Sequence, residues 1–273
     1  MSPFDLLIAG AAGFAAGGMN ALAGGGTLIS FPVLIALGLP PVSANVTNTV
    51  ALSPGYLGGV LSQRGALADQ RGRIRRLAVA AAIGGLAGAG LLLLTSDSVF
   101  RVLVPILLFA STLMLATQDH LRAALRIGQP VADAVAADAV SDVARAPAGS
   151  GELADPRWLV ILVLVVSVYG GYFGAGLGIM LLAVLGIVLH DSLPRLNALK
   201  QVLALVINGT AAVFFLGSHK IYWMVALIMA VTSLLGGNVG GRLASSVRPA
   251  RLRVIVVTIG LTVAVGYAIK IWI

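Results

Sequence analysis

The sequence predicts an all-α polytopic membrane protein built as an inverted-topology repeat. The 273-residue chain is 59% hydrophobic and 10% charged, with a mean hydropathy of +1.01, which is more apolar surface than a soluble domain of this size can bury. The chain also repeats itself at a constant offset of 152 residues. Finally, the Lys and Arg residues of its loops change sides between the two copies, which is the pattern of two halves inserted with opposite topology.

The repeat is carried by glycines and asparagines. Gly24 aligns with Gly176 and Asn45 with Asn197, and no gap is needed between residues 18–104 and 170–256. The glycine pairs at 84/236, 85/237 and 88/240 follow the same offset. We therefore predict a first repeat over residues 1–117, a linker over 118–156 and a second repeat over 157–273.

Each half contains three apolar stretches close to the ~20 residues that a transmembrane helix needs. In the first half these are 44–61, 74–94 and 99–117, and in the second half 196–216, 222–244 and 252–272. A longer apolar segment precedes each trio, over 4–39 and over 158–189. Both longer segments are interrupted by glycines, at 24–26 and between 170 and 178.

Loop charge sets the predicted topology. If the three spans simply alternate, 14 of the 18 Lys and Arg residues fall on one face of the membrane, which is then cytoplasmic. Arg157 and Arg195 share that face, so the segment between them must enter the membrane and return. Each broken segment is thus predicted to be a re-entrant hairpin with its glycine turn inside the membrane, or two short helices. Non-helical backbone at that depth is tolerated where it lines a cavity or is buried in protein.

This topology places both termini in the periplasm and the 118–156 linker in the cytoplasm of a multi-pass protein of the bacterial inner membrane. The linker is rich in Asp, Pro and Gly, so we expect it to be partly disordered. The lipid bilayer is the expected surrounding partner, and a homodimer is an oligomeric state that the sequence leaves open.

Several functions are excluded by residue types. There is no cysteine, so thiol chemistry and disulfides are ruled out. The net charge of +8 comes from loop arginines that act as topology determinants, so no nucleic acid partner is expected. No Asp or Glu lies within the six predicted spans, there is no phosphate-binding loop, and the three histidines are not placed to share a metal. We expect no enzyme activity, no cofactor and no metal site.

The glycine breaks are candidate anion sites. A helix that begins inside the membrane directs its free N–H groups and the positive end of its dipole at the cavity. The alternative is that the glycines only allow close helix packing. Two symmetry-related breaks favour the anion site. The predicted residues are Gly24, Gly25, Gly26, Thr27, Gly176 and Gly178, with Thr27 helping to start the second half-helix.

Polar side chains near the start of the following spans complete the predicted site. Asn45, Thr49, Asn197 and Gln201 carry amides and hydroxyls that can bind an oxyanion, although helix capping explains asparagine at such positions equally well. Lys200 occupies the position equivalent to an asparagine in the first half. A cation within a span is a candidate for function, and its alternative is snorkelling to the interface.

These motifs resemble the sulfite exporter TauE/SafE family. The resemblance rests on the glycine run 24–26 followed by Pro32, on the prolines at 40–41 with the stretch 44–49, and on the glycine stretches 174–178 and 236–242. It covers nearly the whole chain except the linker. It implies a bacterial inner-membrane permease for a small sulfur oxyanion or an organosulfonate, such as sulfite or sulfoacetate.

We therefore predict a secondary transporter that moves such a small anion by alternating access around a site near the membrane midplane. One alternative is a transporter of another solute or of a cation, bound by unwound carbonyl groups. A second alternative is a non-transport membrane assembly factor, which would not need two polar, glycine-broken segments.

Overall fold

The computed structural model describes residues 1–22, 24–124, 156–189 and 191–243, together with six isolated helical positions near the C-terminus. These six are Val257, Thr258, Leu261, Thr262, Val265 and Ile269. The predicted linker beyond residue 124 and most of the predicted span 252–272 lie outside the described residues. The helix before the predicted linker continues to Ala124, so the first residues of that linker are helical and extend the preceding span.

Every regular element of the described residues is helical. The first half contains α1 (Pro3–Leu22), α2 (Thr27–Ala36), α3 (Pro41–Ser62), α4 (Arg71–Leu94) and α5 (Asp97–Ala124), with a short 3₁₀ helix at Arg64–Leu67. The second half contains α6 (Trp158–Tyr172), α7 (Leu177–Val188), α8 (Leu193–Phe215) and α9 (Trp223–Leu243). Helices are thus present at all five predicted spans that the structure describes.

Within the described residues, five stretches are long and apolar enough to cross a membrane: α1, α4, residues Asp97–Thr117 of α5, α8 and α9. Their outward faces carry large apolar side chains, including Ile83, Leu113 and Leu227, which are 56%, 53% and 58% exposed. Apolar side chains on the outside of a helical protein are covered by lipid. α3 has 22 residues and contributes mostly buried polar and small side chains instead.

Both broken segments are present where glycine predicts them. α1 ends at Leu22 and α2 begins at Thr27, whereas α6 ends at Tyr172 and α7 begins at Leu177. The first segment is less symmetric than expected, because α1 has 20 residues and α2 only 10. α1 is therefore not one of two short helices, since it is long enough to cross the membrane by itself.

Glycines bring helices of the two halves into close contact. α1 packs against α9, α4 packs against α6, and α3 packs against both α8 and α9. Gly85 of α4 lies against the backbone of Ile207, and Gly237 of α9 lies against the backbone of Gly55. These two contacts have the same offset of 152 residues at both partners. Small residues permit such backbone approach between membrane helices.

An aromatic cluster fixes the second break against the first half-helix. The rings of Phe31 in α2 and Phe173, just after α6, lie edge to face with centroids 5.3 Å apart. Phe100 of α5 lies 6.0 Å from Phe173 and completes the cluster. All three side chains are buried, so this cluster holds the two breaks close to each other in the core.

Candidate functional site

The two glycine breaks touch. Gly24 has a φ of +85°, and a Cβ atom built on it would lie 2.5 Å from the Cα of Gly178. The predicted proximity of the two breaks is therefore present, but the two backbones leave no room for a ligand between Gly24 and Gly178. Gly176 also has a left-handed backbone, with a φ of +74°, directly before α7. Any bound solute must lie beside this contact, towards the polar side chains.

Asn20 organises the first break. Its Oδ1 accepts a hydrogen bond from the Gly26 N–H at 2.8 Å, and its backbone carbonyl accepts one from Lys200 Nζ at 3.4 Å. The side chain is 1% exposed, and its Nδ2 has no hydrogen-bond partner among the described residues. Thr27 was expected to help start α2, but α2 has no side-chain cap from it. Asn20, seven residues earlier, binds the N–H at this end of the half-helix instead.

Lys200 is buried deep in the protein. Its side chain is 1% exposed although it lies on a membrane helix. This burial contradicts the snorkelling interpretation, which requires the ammonium group to reach the interface. A buried ammonium needs acceptors or a counter-charge to offset lost hydration. Lys200 thus places its amino group at the Asn20 carbonyl, near the end of α1.

Two amides of α8 surround the same helix end. Asn197 Nδ2 donates to the Ala21 carbonyl at 3.3 Å and to Gln63 Oε1 at 2.7 Å. Gln201 is fully buried, and neither its Nε2 nor its Oε1 has a partner in the part of the chain that the structure describes. Its amide nitrogen lies 2.5 Å from where a Cβ on Gly59 would be, so that glycine gives Gln201 its space.

The remaining predicted side chains lie at the second break. Asn45 Nδ2 donates to the Tyr172 carbonyl at 2.8 Å, where α6 ends. The Thr49 hydroxyl donates to the carbonyl of Asn45 at 3.0 Å and is buried. Asn48, one turn after Asn45, is 2% exposed and has an unpartnered Oδ1 within the described residues. Asn45 therefore contacts the end of α6, Thr49 bonds back to Asn45 within α3, and Lys200 contacts the end of α1.

A hydroxyl network supports the turn before α7. The Tyr169 hydroxyl donates to the Ala175 carbonyl at 2.7 Å and lies 2.8 Å from the Ser111 hydroxyl. Ser111 also lies 3.0 Å from the Ala175 carbonyl. A Cβ on Gly176 would lie 3.5 Å from the Ser111 Cβ, in ordinary contact. This network fixes the second break from α5 and explains why Gly176 is close to side chains of the first half.

The predicted site residues thus form two groups instead of one ring. The first break gathers Gly26, Asn197, Lys200 and Gln201 around the end of α1. The second group is Asn45 at the end of α6, with Thr49 bonded to the Asn45 carbonyl one turn along α3. Sequence reasoning missed Asn20, Gln63 and Asn48 as members of these groups: Asn20 opens the glycine motif, and Asn48 aligns with Lys200.

Ion pairs connect elements at the two ends of α4. Asp191, just before α8, pairs with Arg73 of α4 at 3.2 Å and with Arg195 of α8 at 2.9 Å. Beyond the opposite end of α4, Asp97 lies 3.9 Å from Lys220 and accepts a hydrogen bond from the Val42 N–H at 3.1 Å. The first set joins the start of α8 to the start of α4, and the second joins the start of α3 to the loop that holds Lys220. Among the described residues, no group of three His, Cys, Asp or Glu side chains is placed to hold a metal.

Several apolar helices, two helix breaks in contact and a lysine buried beside them are features of a multi-pass membrane protein of the transporter class. The family model "Sulfite exporter TauE/SafE" matches residues 9–267. The chain therefore belongs to the TauE/SafE family of membrane transporters.

Relatives with transporter names match over most of their length. A "probable membrane transporter protein" of Haemophilus influenzae is 26% identical over 235 residues, covering 85% of this chain and 82% of that protein. The probable membrane transporter protein ORF9 of a Sinorhizobium species is 24% identical, covering 96% of this chain and 94% of that protein. YfcA of Escherichia coli K12, also a probable membrane transporter protein, is 24% identical over 85% of this chain and 77% of its own. No solved structure matches the chain.

Proposed function

We propose that the protein moves a small sulfur-containing anion, sulfite or an organosulfonate such as sulfoacetate, across the bacterial inner membrane. The buried ammonium of Lys200 carries this proposal. At 1% exposure it lies inside the protein beside the start of half-helix α2, where a negative charge is stabilised both by the lysine and by the helix dipole. The description of the matching family names sulfite, which agrees with the chemistry of these groups.

The anion site that we propose is built from three donors around the end of α1. Lys200 Nζ lies at the Asn20 carbonyl, and Asn20 Nδ2 and Gln201 Nε2 are buried without partners among the described residues. Unpartnered buried donors are costly, and a ligand with several acceptor oxygens removes that cost. Sulfite and sulfonates each present three oxygens on one sulfur, so the ligand offers as many acceptor atoms as the site has donor groups.

Of the predicted site residues, we assign seven to this anion site and its immediate support. They are Gly24, Gly25, Gly26, Thr27, Asn197, Lys200 and Gln201. The Gly26 N–H is already bonded by Asn20, so side-chain donors contribute more to this site than the sequence suggested. Gly178 closes the site by its contact with Gly24, and Gly176, Asn45 and Thr49 belong to the second break.

We further propose that residues 1–117 and 157–273 are inverted repeats that rock against each other to give alternating access. The contacts Gly85–Ile207 and Gly237–Gly55, which share the 152-residue offset, support this arrangement. Tyr56 also interacts with Asn208, its equivalent at the same offset, as residues beside a two-fold axis do. In this proposal the termini are periplasmic and the linker is cytoplasmic.

A binding screen tests the substrate. Purified protein in detergent is titrated with sulfite, sulfate, thiosulfate, sulfoacetate and taurine, and binding is followed by thermal stabilisation and calorimetry. We expect sulfite or sulfoacetate to bind and taurine, which carries an added ammonium group, to bind less well. The absence of saturable binding for both sulfite and sulfoacetate would reject the proposal.

A further inference from the structure

The two polar helices, α3 and α8, approach the ends of the broken helices in the same way. Asn197 of α8 donates to the Ala21 carbonyl near the end of α1, and Asn45 of α3 donates to the Tyr172 carbonyl at the end of α6. One turn further along each helix, the equivalent positions differ: α8 has Lys200, and α3 has Asn48. The lysine places an ammonium group at the carbonyls that end α1.

At the second break, the same place is lined by oxygen atoms that lack a partner. Asn45 is 0% exposed and Asn48 2% exposed, and the Oδ1 of each has no hydrogen-bond partner among the described residues. The orientation of the Asn45 amide is fixed, because its Nδ2 donates to the Tyr172 carbonyl. Residues three apart share one helix face, so both side chains leave α3 on the same side. Buried acceptors without partners cost free energy, which a bound donor or cation would remove.

The surroundings of these oxygens suit a monovalent cation. α6 ends at Tyr172, and the end of a helix carries partial negative charge from its last carbonyl groups. The available ligands are neutral amide and backbone oxygens, since neither α3 nor α6 contains Asp or Glu. Divalent cations such as Ca²⁺ are held with the help of carboxylates, whereas transporters bind Na⁺ with unwound carbonyls and helix ends.

The geometry points to a sodium site at the second break, formed by Asn45 Oδ1, Asn48 Oδ1 and the carbonyl groups at the end of α6. In the other half, the ammonium group of Lys200 occupies the equivalent place and supplies the positive charge that sodium supplies here. The site is independent of the anion. The inference rests on the proposed function in one respect only, which is the consequence that sodium movement is coupled to anion movement.

Radiolabelled sodium tests the site directly. The purified full chain is placed in choline buffer, and equilibrium binding is measured for the unchanged protein and for Asn48→Lys and Asn48→Leu. We expect saturable sodium binding by the unchanged protein. Both variants should weaken that binding by at least about tenfold. Asn48→Lys should also melt at the same temperature as the unchanged protein or higher without sodium, since its ammonium group replaces the ion.

Asn208→Leu is the matched control. Asn208 is also a buried asparagine beside the second break, with its Oδ1 3.9 Å from where a Cβ on Gly174 would be, but its amide donates to the Ala204 carbonyl and its oxygen is not one of the proposed ligands. Sodium binding should survive this change. The site is refuted if the unchanged protein binds no sodium, or if both Asn48 variants bind it as well as the unchanged protein does. Sulfite uptake that persists without sodium binding refutes the site alone, whereas sodium binding without any anion binding refutes the proposed function alone.

Discussion

Replacing Lys200 by methionine removes the charge on which the anion proposal depends while keeping a side chain of similar length. The lysine is 1% exposed, so its stem fills space in the core, and an alanine would leave a cavity. Methionine is unbranched and flexible, which allows it to fill the same volume. The change therefore separates the charge of Lys200 from its packing.

The expected loss of anion affinity follows from the loss of the hydrogen bond that Lys200 donates to the anion. A hydrogen bond that involves a charged group contributes about 1.5–3 kcal/mol, which corresponds to an affinity change of about tenfold to a hundredfold. Protein stability should change in the opposite sense or not at all, because replacing a buried charge by an apolar group of similar volume is often neutral or stabilising. Lys200→Met should thus bind sulfite about tenfold to a hundredfold more weakly and melt at an equal or higher temperature.

Isothermal titration of purified protein, with melting curves on the same samples, measures both quantities. Lys220→Met is the control, since Lys220 is 39% exposed and its contact with Asp97 is 3.9 Å long. That surface pair should contribute little, so anion affinity should stay within about twofold of the unchanged protein. Equal affinity of Lys200→Met and the unchanged protein for sulfite and sulfoacetate would refute the role of the charge.

Three further predictions concern fold and topology. Gly24→Ala should lower the melting temperature more than Gly38→Ala. Both positions have a positive φ, which costs alanine about 1–2 kcal/mol, but only the side chain at position 24 would collide with a facing backbone. Equal melting temperatures of the two variants would contradict the close contact. Single cysteines at Ser2 and Gly149 should react with an impermeant thiol reagent from the periplasm and the cytoplasm, respectively, and labelling of position 149 in intact cells would reverse the proposed orientation. Asp191→Ala should destabilise the protein by about 1–3 kcal/mol, since it leaves two partly buried arginines without their carboxylate. Asp191→Glu should recover part of that loss. An unchanged melting temperature for the alanine variant would show that these ion pairs do not stabilise the fold.

The positions of the helices and of their breaks could be predicted from the sequence because they depend on local properties. Apolar length identifies the spans, and glycine at positive φ, as at Gly24 and Gly176, marks places where a helix ends. The family could also be recognised, since its glycine and asparagine motifs are contiguous. The length of α1 was not predicted, because the distribution of loop charge favoured a re-entrant hairpin for each broken segment, whereas α1 alone has 20 helical residues.

The partners of the site residues could not be predicted, because they depend on contacts between the halves. Lys200 meets Asn20 across 180 positions of sequence, and Asn45 meets Tyr172 across 127. The capping of α2 by Asn20 instead of Thr27 depends on how the chain turns between α1 and α2. The division of the predicted ring into two groups has the same origin, since the contact between Gly24 and Gly178 separates them.

The central claim is that this chain carries a small sulfur anion through a path that contains Lys200. Uptake of radiolabelled sulfite and sulfoacetate into proteoliposomes tests it most directly, with empty liposomes and liposomes that contain Lys200→Met as comparisons. We predict saturable uptake of at least one of these anions by the unchanged protein, and uptake reduced by about tenfold or more in the variant at low anion concentration. Uptake no faster than in empty liposomes for both anions, with the protein correctly inserted, would contradict the account.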